Sequence, residues 1–584
     1  MDRRAFRQLT LIAAMCGVVF ALPAVAQEPS RLDQVLDAII ANERNMASEL
    51  EQYQPLVETY IQTVRPDAVL GTVPVNDNYF FGRLEMAHND VGATGGEGKS
   101  RSKKPKKKKK KTLSLFDDYH SQTFKPEHFA RMLIVDRGSF DREHYDFDFI
   151  RAEFLGEIRA LVFDVTPKQG KALNRTGFGR FTGRIWVEDE DYHVVRFNGI
   201  YDTMLATSFH FDSWRLNMTP GLWLPAYVYT EESEKAFKQV KLTHKGQTRI
   251  WGYQIASPNA DDEFTRVLID APQTSDLSDR PGQISPVESA RAWEAEAEDN
   301  VIRRLERTGL LAPEGEVDKV LETVVTNLEI TNGLEIEPQI RCRVLLTTPL
   351  ESFTVGHTIV LSRGLLDVLP DEASLAMVLA HEMGHVLSGH DLDTRYAFTD
   401  QILVGDKQAM DQFLFERDPS EELEADNRAV ELLENSPYKD DLETAGLFLK
   451  ALSAEAGDLP ALIRPHFGSR MAQRDKMYRM GQVLDAAPEL DPASVDQIAA
   501  LPLGGRVKLD PWSARIELLK NTRVTLLSAR EKMPFQVTPL MPYLARYGSR
   551  DNAATEGVAH EPGSKPGENG ESETVASDRS RPSQ

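Results

Sequence analysis

One predicted helix constrains the fold of this chain more than any other segment. It covers residues 371–390, DEASLAMVLAHEMGHVLSGH. Asp371 follows a proline and can cap the first turn, and the acidic residue after it suits the positive end of a helix. Apolar residues then repeat at helical spacing, at Leu375, Leu379, Met383 and Val386. The pattern therefore predicts one continuous helix with an apolar stripe.

The same helix carries the pattern H-E-x-x-H in His381, Glu382 and His385. Side chains four residues apart lie one turn above each other, so two imidazole rings can share one metal ion. Glu382 leaves the helix about 100° from His381, close enough to take a proton from water at the metal. Two histidines do not complete a catalytic zinc site, which needs a third protein ligand and an open position. The interpretation therefore depends on finding that ligand.

A second acidic segment, residues 418–433, supplies a candidate third ligand. Asp418 followed by Pro419 is a favourable helix start, because proline fits the first helical position. Glu422 and Asp426 then project from one face, where two carboxylates four residues apart repel each other. A bound cation explains the pair, with Glu422 as a ligand and Asp426 accepting the free N–H of a ligating histidine. The alternative is a solvated acidic face.

Taken together, H-E-x-x-H and the following E-x-E-A-D at residues 422–426 resemble the zinc metallopeptidases that include HtpX, BepA and the CAAX prenyl proteases. Residues 356–390 are similar to the strand, glycine-leucine turn and active-site helix of that family, and His390 stands where many members carry a histidine. The resemblance covers roughly residues 295–480. It implies a gluzincin domain with one Zn²⁺ per chain, and Glu382 as the base that activates the attacking water.

One departure concerns the pattern H-P-x-x-x-x-R, which the family often carries after the acidic helix. Residues 464–470 read Arg-Pro-His-Phe-Gly-Ser-Arg, so Arg464 stands at the histidine position. Arg470 matches the pattern, and we expect it to stabilise the oxyanion or to brace Glu422. His466 is either a loop histidine or a substitute for the missing one.

The N-terminus has the features of a secretory signal peptide, with a basic start, an apolar run over residues 9–22 and the small residues Ala24-Val25-Ala26. Cleavage before Gln27 predicts a periplasmic or secreted protein. No later stretch approaches about 18 continuous apolar residues, so no transmembrane segment is expected in the mature chain. Only Cys342 remains after cleavage, which excludes an intrachain disulfide. The formal net charge of −22 argues against nucleic acid as a partner.

Between about residues 126 and 255, short segments of alternating apolar and polar residues follow one another, divided by turn residues. Consecutive strands with short connections predict an antiparallel sheet, curved or half closed. The segments FLGEIRALVFDVTPK, GRIWVEDEDYHVVRFNG and GLWLPAYVYTE resemble, in their order, the half-barrel of LolA-like lipoprotein carriers. Such a sheet can present an apolar concavity to an acyl chain or an unfolded segment, or it can be a structural domain.

The predicted fold class is α+β multidomain, with the curved antiparallel sheet followed by a mainly helical zincin-like domain that has a small edge sheet. In that edge sheet, residues 354–361 are the candidate strand for pairing with an extended substrate.

The lysine-rich residues 92–111 indicate a solvated loop, and the alternative is a peripheral contact of residues 99–111 with an anionic surface. The predicted boundaries are a signal peptide 1–26, an N-terminal helical segment 27–69, the β-rich domain 70–257, a linker 258–290, the metallopeptidase domain 291–485, a C-terminal appendage 486–548 and a disordered tail 549–584.

These features predict a zinc metalloendopeptidase that acts on polypeptide substrates, including misfolded, envelope or outer-membrane proteins. The candidate catalytic side chains are Glu382, Asp426 and Arg470, and the candidate metal ligands are His381, His385 and Glu422. The alternative is a carrier or chaperone whose sheet binds lipid or unfolded polypeptide, with a non-catalytic metal site. An intact Glu382 favours the peptidase, because a structural zinc has no use for a base.

Overall fold

The computed structural model describes residues 31–86, 91–94, 129–136, 138–168, 180–201, 209–232, 243–253, 286–390, 415–465, 467–473, 476–510, 514–519, 525–540 and 542–547. Several predicted features lie outside the described residues: the signal peptide, residues 95–111 of the insertion, residues 258–285 of the linker, His466 and the tail. Among the described residues, no helix combines the length and the apolar character that crossing a membrane requires.

Ten strands of the described residues form one antiparallel sheet. In chain order they are β1 (Leu56–Asp67), β2 (Gly71–Met86), β3 (Val91–Thr94), β4 (Tyr145–Leu155), β5 (Ile158–Pro167), β6 (Phe181–Glu188), β7 (Val194–Tyr201), β8 (Phe209–Thr219), β9 (Leu222–Glu232) and β10 (Thr243–Trp251). Their spatial order is β3-β2-β1-β10-β9-β8-β7-β6-β5-β4. Strands β4 to β10 each pair with the next along the chain, and β10 then pairs with β1. The predicted antiparallel sheet is confirmed.

Alternate side chains of β1 pack into two different hydrophobic cores, one on each face of the sheet. Val57 and Ile61 join the apolar cluster of helix α1 (Arg31–Glu49), whereas Leu56 and Tyr60 join the core of the helical region. Successive side chains of a strand point to opposite faces, so both faces of the sheet are covered here. The face that carries Tyr60 packs against protein rather than presenting an open concavity for an acyl chain.

A buried ion pair holds α1 on the sheet. Glu43 and Arg215 are 2% and 1% exposed. The guanidinium donates from Nη1 to Glu43 Oε2 at 2.6 Å and from Nη2 to Oε1 at 2.8 Å. Glu43 Oε1 also accepts from the backbone N–H of Val135 at 3.0 Å, which ties a third segment to the pair. Each charge therefore depends on the other for its compensation.

We expect Glu43→Gln to lower the free energy of unfolding by about 3–5 kcal/mol, because it leaves the Arg215 charge buried without a counter-charge. Urea titration followed by tryptophan fluorescence measures this. The exposed pair Arg428–Glu431, with Nη1 and Oε2 3.0 Å apart, offers a matched control. Glu431→Gln should cost less than about 1 kcal/mol. Equal losses in the two variants would contradict the role given to the buried pair.

Helices dominate the chain from residue 286 onward. They are α2 (Pro286–Arg307), α3 (Glu316–Asn332), α4 (Arg363–Val368), α5 (Glu372–Leu387), α6 (Pro419–Glu434), α7 (Leu442–Glu455), α8 (Pro460–Ile463) and α9 (Gly481–Ala486). A small sheet has the order β11-β13-β12, from β11 (Arg341–Leu345), β12 (Ser352–Val355) and β13 (Thr358–Ser362). Two further pairs are β14 (Ala472–Gln473) with β15 (Lys476–Met477) and β16 (Val507–Leu509) with β17 (Ile516–Leu518). The predicted α+β fold class is confirmed.

Buried carboxylates on the large sheet bind backbone N–H groups of the helical region. Glu58, which is 2% exposed, accepts from the backbone N–H of Thr348 at 2.6 Å. Asp77, which is 4% exposed, accepts from the backbone N–H of Leu462 at 2.7 Å. Both bonds satisfy backbone donors that would otherwise be buried without an acceptor. The large sheet thereby holds both the segment before strand β12 and helix α8.

Two predictions of local structure are wrong. The predicted N-terminal helical segment extends to residue 69, but helix α1 ends at Glu49 and residues Leu56–Asp67 form β1. The β-branched residues in β1 alternate at a period of two, and this alternation favours a strand over a helix. The C-terminal residues form only the β16–β17 pair as a sheet among the described residues, and they pack into the domain interface. There Val537 donates its backbone N–H to Gln62 Oε1 at 3.0 Å, so this segment is not a separate appendage.

Candidate metal centre and active site

Helix α5 begins at the predicted cap and is buried along most of its length. Asp371 has an extended backbone, and its Oδ1 accepts from the N–H of Ser374 at 2.8 Å. The three residues of the H-E-x-x-H pattern, His381, Glu382 and His385, are at most 2% exposed. Polar groups held this deep in the protein need partners, and those partners define the site.

Helix α6 approaches α5 closely at a glycine. A Cβ atom at Gly384 would lie 2.5 Å from the carbonyl oxygen of Ala425, so no larger residue fits without moving one helix. The contact lies between the two histidines of α5 and between the two acidic residues of α6, Glu422 and Asp426. Because those acidic residues are one turn apart, both can reach the same histidine, His381.

His381, His385 and Glu422 come together in space. One ligand atom from each lies within 4.8 Å of the others. The two Nε2 atoms are 3.3 Å apart, and Glu422 places Oε2 3.2 Å from His381 Nε2 and Oε1 3.9 Å from His385 Nε2. Two imidazole nitrogens and a carboxylate oxygen are the donor set of catalytic zinc sites that keep one position open. The residues present therefore fit a zinc ion.

Asp426 lies behind His381, in the position that its predicted role requires. Its Oδ1 is 2.8 Å from His381 Nδ1, and its Oδ2 accepts from the backbone N–H of Met480 at 2.7 Å. Burial and the Arg479 charge lower the pKa of His381, but hydrogen bonds with Asp426 and Glu422 raise it above the ordinary value. The site thus favours a positive charge at His381, and a metal cation bound there would replace that proton.

Three donors orient the carboxylate of Glu382. Its Oε1 accepts from Ser352 Oγ at 2.7 Å and from Arg479 Nη1 at 3.0 Å, and its Oε2 accepts from Thr354 Oγ1 at 2.6 Å. Ser352 and Thr354 are alternate residues of β12, so their side chains point to the same face of the strand. That face meets α5. Strand β12 and one arginine therefore fix the direction of the candidate base.

Arg479 connects the candidate base to the candidate third ligand. It is 3% exposed, and it donates from Nε to Glu422 Oε2 at 2.8 Å and from Nη2 to Oε1 at 3.4 Å. This bracing contact was predicted for Arg470, which is half-buried; the structure places Arg479 there instead. The proposed action of Arg470 on the oxyanion stays a prediction.

The pattern H-P-x-x-x-x-R gives no signal for Arg479 in the sequence. The same spacing counted back from Arg479 begins at Gln473 and Arg474, so neither the histidine nor the proline of the pattern is matched. In both registers the histidine position is occupied by another residue. The second register ends just before helix α9, which begins at Gly481. The arginine therefore follows the short β14–β15 pair rather than α8.

Burial and charge together set the protonation of the site. Burial lowers the pKa of His385 to about 3, so its imidazole is neutral and offers a lone pair. Burial alone would raise the pKa of Glu422, but the Arg479 guanidinium and the hydrogen bond with His381 hold it far below its usual range. The pKa of Glu382 is likewise lowered despite burial, chiefly by the charge of Arg479. Both carboxylates are therefore ionised.

The predicted substrate-pairing strand needs a correction. Residues 354–361 span parts of β12 and β13, but β13 lies in the middle of the small sheet, so of these two strands β12 is the one at an edge. Ser362 donates its N–H to Glu351 O at 2.9 Å, which makes these two residues a hydrogen-bonded pair. By alternation, the backbone groups of Ser352 and Thr354 point away from β13. They form the outer edge beside the site.

Other segments cover this outer edge in the structure. Arg417 donates from Nη2 to the carbonyl oxygen of Thr354 at 3.2 Å. A Cβ atom on Gly468 would lie 2.7 Å from the carbonyl oxygen of Ser352, so that loop also runs close to the strand. A ring contact adds to the cover, because Phe353 and Phe415 stack with their centroids 4.5 Å apart. An extended chain that pairs with β12 has to displace these contacts.

Residues 314–406 match the family model described as Peptidase family M48. The predicted resemblance to a metallopeptidase family is therefore confirmed over this range, which includes the H-E-x-x-H helix but ends before Glu422. Among solved structures, a DUF1329 family protein from Desulfovibrio piger matches 39% of this chain and 96% of its own, at 12% sequence identity and a TM-score of 0.20. No curated protein matches the chain.

Proposed function

We propose that this chain is an exported zinc-dependent endopeptidase, in which His381, His385 and Glu422 hold one zinc ion and Glu382 is the general base. The observation that carries the proposal is the His–His–Glu group, with ligand atoms within 4.8 Å of one another, beside a buried and ionised carboxylate. The match of residues 314–406 to a peptidase family supports it. A purely structural metal site would not need Glu382 held by three donors.

When bound, zinc supplies a Lewis acid that polarises the scissile carbonyl and acidifies the attacking water. Glu382 takes the proton from that water and passes it to the leaving amine nitrogen. Ser352 and Thr354 keep the carboxylate pointed in one direction, and a fixed direction lowers the cost of reaching the reactive arrangement. Because Arg479 donates to both Glu382 and Glu422, it fixes the position of the base relative to the third ligand.

The substrate that fits this site is an extended polypeptide segment lying along the outer edge of β12. Backbone groups of Ser352 and Thr354 would bond to it as in strand addition. Arg417 occupies one of these acceptors at 3.2 Å, and the incoming N–H of the substrate would replace it. A folded protein offers few such segments, so misfolded or unfolded polypeptides of the cell envelope are the proposed clients.

Export is proposed from the sequence of residues 1–26. An exported enzyme would encounter these polypeptides in the periplasm or outside the cell. The carrier alternative required an open apolar face on the large sheet. At strand β1, one face packs on α1 and the other on the helical region, and this packing supports the peptidase rather than a lipid carrier.

Unfolded casein tests the proposal directly. We expect the purified chain from Gln27 onward to cleave it, to stop when 1,10-phenanthroline removes zinc, and to recover when zinc but not magnesium is added. Fatty-acid binding by the same preparation, measured with a fluorescent fatty acid, tests the carrier alternative. Two results would contradict the proposed function: casein that stays intact in the presence of zinc, or a cleavage rate that 1,10-phenanthroline does not change.

A further inference from the structure

The C-terminal end of helix α5 places a second imidazole directly against the metal centre. His390 donates its backbone N–H to His385 O at 3.1 Å, and Gly389 donates to Val386 O at 3.1 Å. Gly389 has a φ of +64°, the left-handed conformation that glycine adopts readily. These bonds define a Schellman motif, in which the residue after the left-handed one contacts the side chain five positions earlier. Here those two residues are His390 and His385.

The two imidazoles touch through their Nδ1 atoms, which are 2.9 Å apart. The His390 side chain is 8% exposed, and its Nε2 lies 3.5 Å from the carboxylate of Glu424. His390 is not part of the group that converges on the cation, because it meets the far nitrogen of His385. The near nitrogen, Nε2, is the one that lies 3.3 Å from His381 Nε2.

The arrangement of nitrogens admits one consistent placement of hydrogens when a cation is bound. The lone pair of His385 has to be at Nε2, so its hydrogen is at Nδ1 and needs an acceptor. Among the described residues, the hydrogen-bond partner of Nδ1 is His390 Nδ1, which accepts if His390 carries its own hydrogen at Nε2. That second N–H then faces Glu424. The chain of contacts therefore runs from a carboxylate through two rings to the metal centre.

We propose that His390 is a positioning residue of the metal centre: it accepts the Nδ1–H of His385 and so fixes the tautomer and the ring orientation that direct Nε2 at the cation. This inference rests on the proposed function, because it takes the cation to be zinc. Each ligating histidine then has its own acceptor, the Asp426 carboxylate for His381 and the His390 imidazole for His385. The Glu424 carboxylate contacts His390 on the side away from His385.

The test compares zinc affinity in the parent chain with that of His390→Leu and His390→Asn, by competition with a chromophoric chelator. Both side chains are close to histidine in size, but only asparagine carries an acceptor near the position of Nδ1. We expect His390→Leu to bind zinc about 10–100-fold more weakly, the usual effect of losing a partner of a ligating histidine. We expect His390→Asn to recover most of that loss. The melting temperatures of the zinc-free proteins should agree.

Equal zinc affinity in the parent and His390→Leu would overturn the inference, and so would His390→Asn that binds as weakly as His390→Leu. If His390→Leu folds poorly, His390→Gln replaces it, because its amide group lies nearer the Nε2 position and can donate its NH2 to Glu424, which leaves Nδ1 of His385 without an acceptor. The same weakening is then expected. A parent chain that binds no zinc would overturn the proposed function itself, and the inference with it, so the two failures are distinguishable.

Discussion

Replacing Glu382 by glutamine is expected to leave the fold and the bound zinc in place while lowering the rate of peptide hydrolysis by roughly 10²–10⁴-fold. The amide oxygen can still accept from Ser352 and Arg479, which both bond to one carboxylate oxygen. The amide nitrogen meets Thr354 Oγ1, and that hydroxyl can rotate to accept instead of donate. The variant therefore loses the capacity to take a proton and little else.

Initial rates on unfolded casein, with zinc content measured in the same samples, check this expectation. Glu431→Gln, an exposed substitution on α6, should cleave at the rate of the parent. If Glu382→Gln hydrolyses casein as fast as the parent, another group is the base. If it loses its zinc, the slow rate says nothing about proton transfer, and the claim that only the base was removed is wrong.

Replacing Glu422 by alanine is expected to abolish stable zinc binding, because only two protein ligands remain. The loss should exceed the roughly 10–100-fold that follows from losing an outer hydrogen-bond partner. Alanine also leaves Arg479 without the carboxylate to which it donates at 2.8 Å. Glu422→Gln is therefore needed as well, because it keeps an acceptor for the arginine while removing the anionic ligand.

Glu421→Gln is the matched control, one residue away on the same turn of α6. Glu421 forms a capping box with Asp418, and glutamine serves in that motif equally well. Zinc per chain after gel filtration, measured by mass spectrometry, should be close to one for this control and close to zero for both Glu422 variants. Full occupancy in Glu422→Ala would mean that the third ligand is another residue.

Local sequence patterns predicted the helices that carry the candidate ligands. The cap at Asp371 and the proline start at Pro419 are signals within one turn, and the i, i+4 spacing places Glu422 and Asp426 on one face whatever the tertiary structure is. The alternation of strands likewise predicted the antiparallel sheet. The fold class followed because short connections leave few alternatives.

The partners of the candidate base could not be predicted in this way. Ser352 and Thr354 reach Glu382 only because β12 faces α5, and that depends on strand register and on helix packing. Arg479 lies far along the chain from both carboxylates it contacts, so no local sequence pattern predicts these contacts. His390 is different, because a glycine after the last helical turn signals a Schellman motif. The sequence Ser388-Gly389-His390 carries this signal.

We propose that one zinc ion, held beside Glu382, makes this chain a peptidase. Titrating zinc into the metal-free protein while following casein cleavage tests it most directly. We predict that activity rises linearly and reaches its plateau at one equivalent of zinc per chain. Activity that is already complete without zinc, or that never appears as zinc is added, would show that zinc beside Glu382 is not what makes the chain a peptidase.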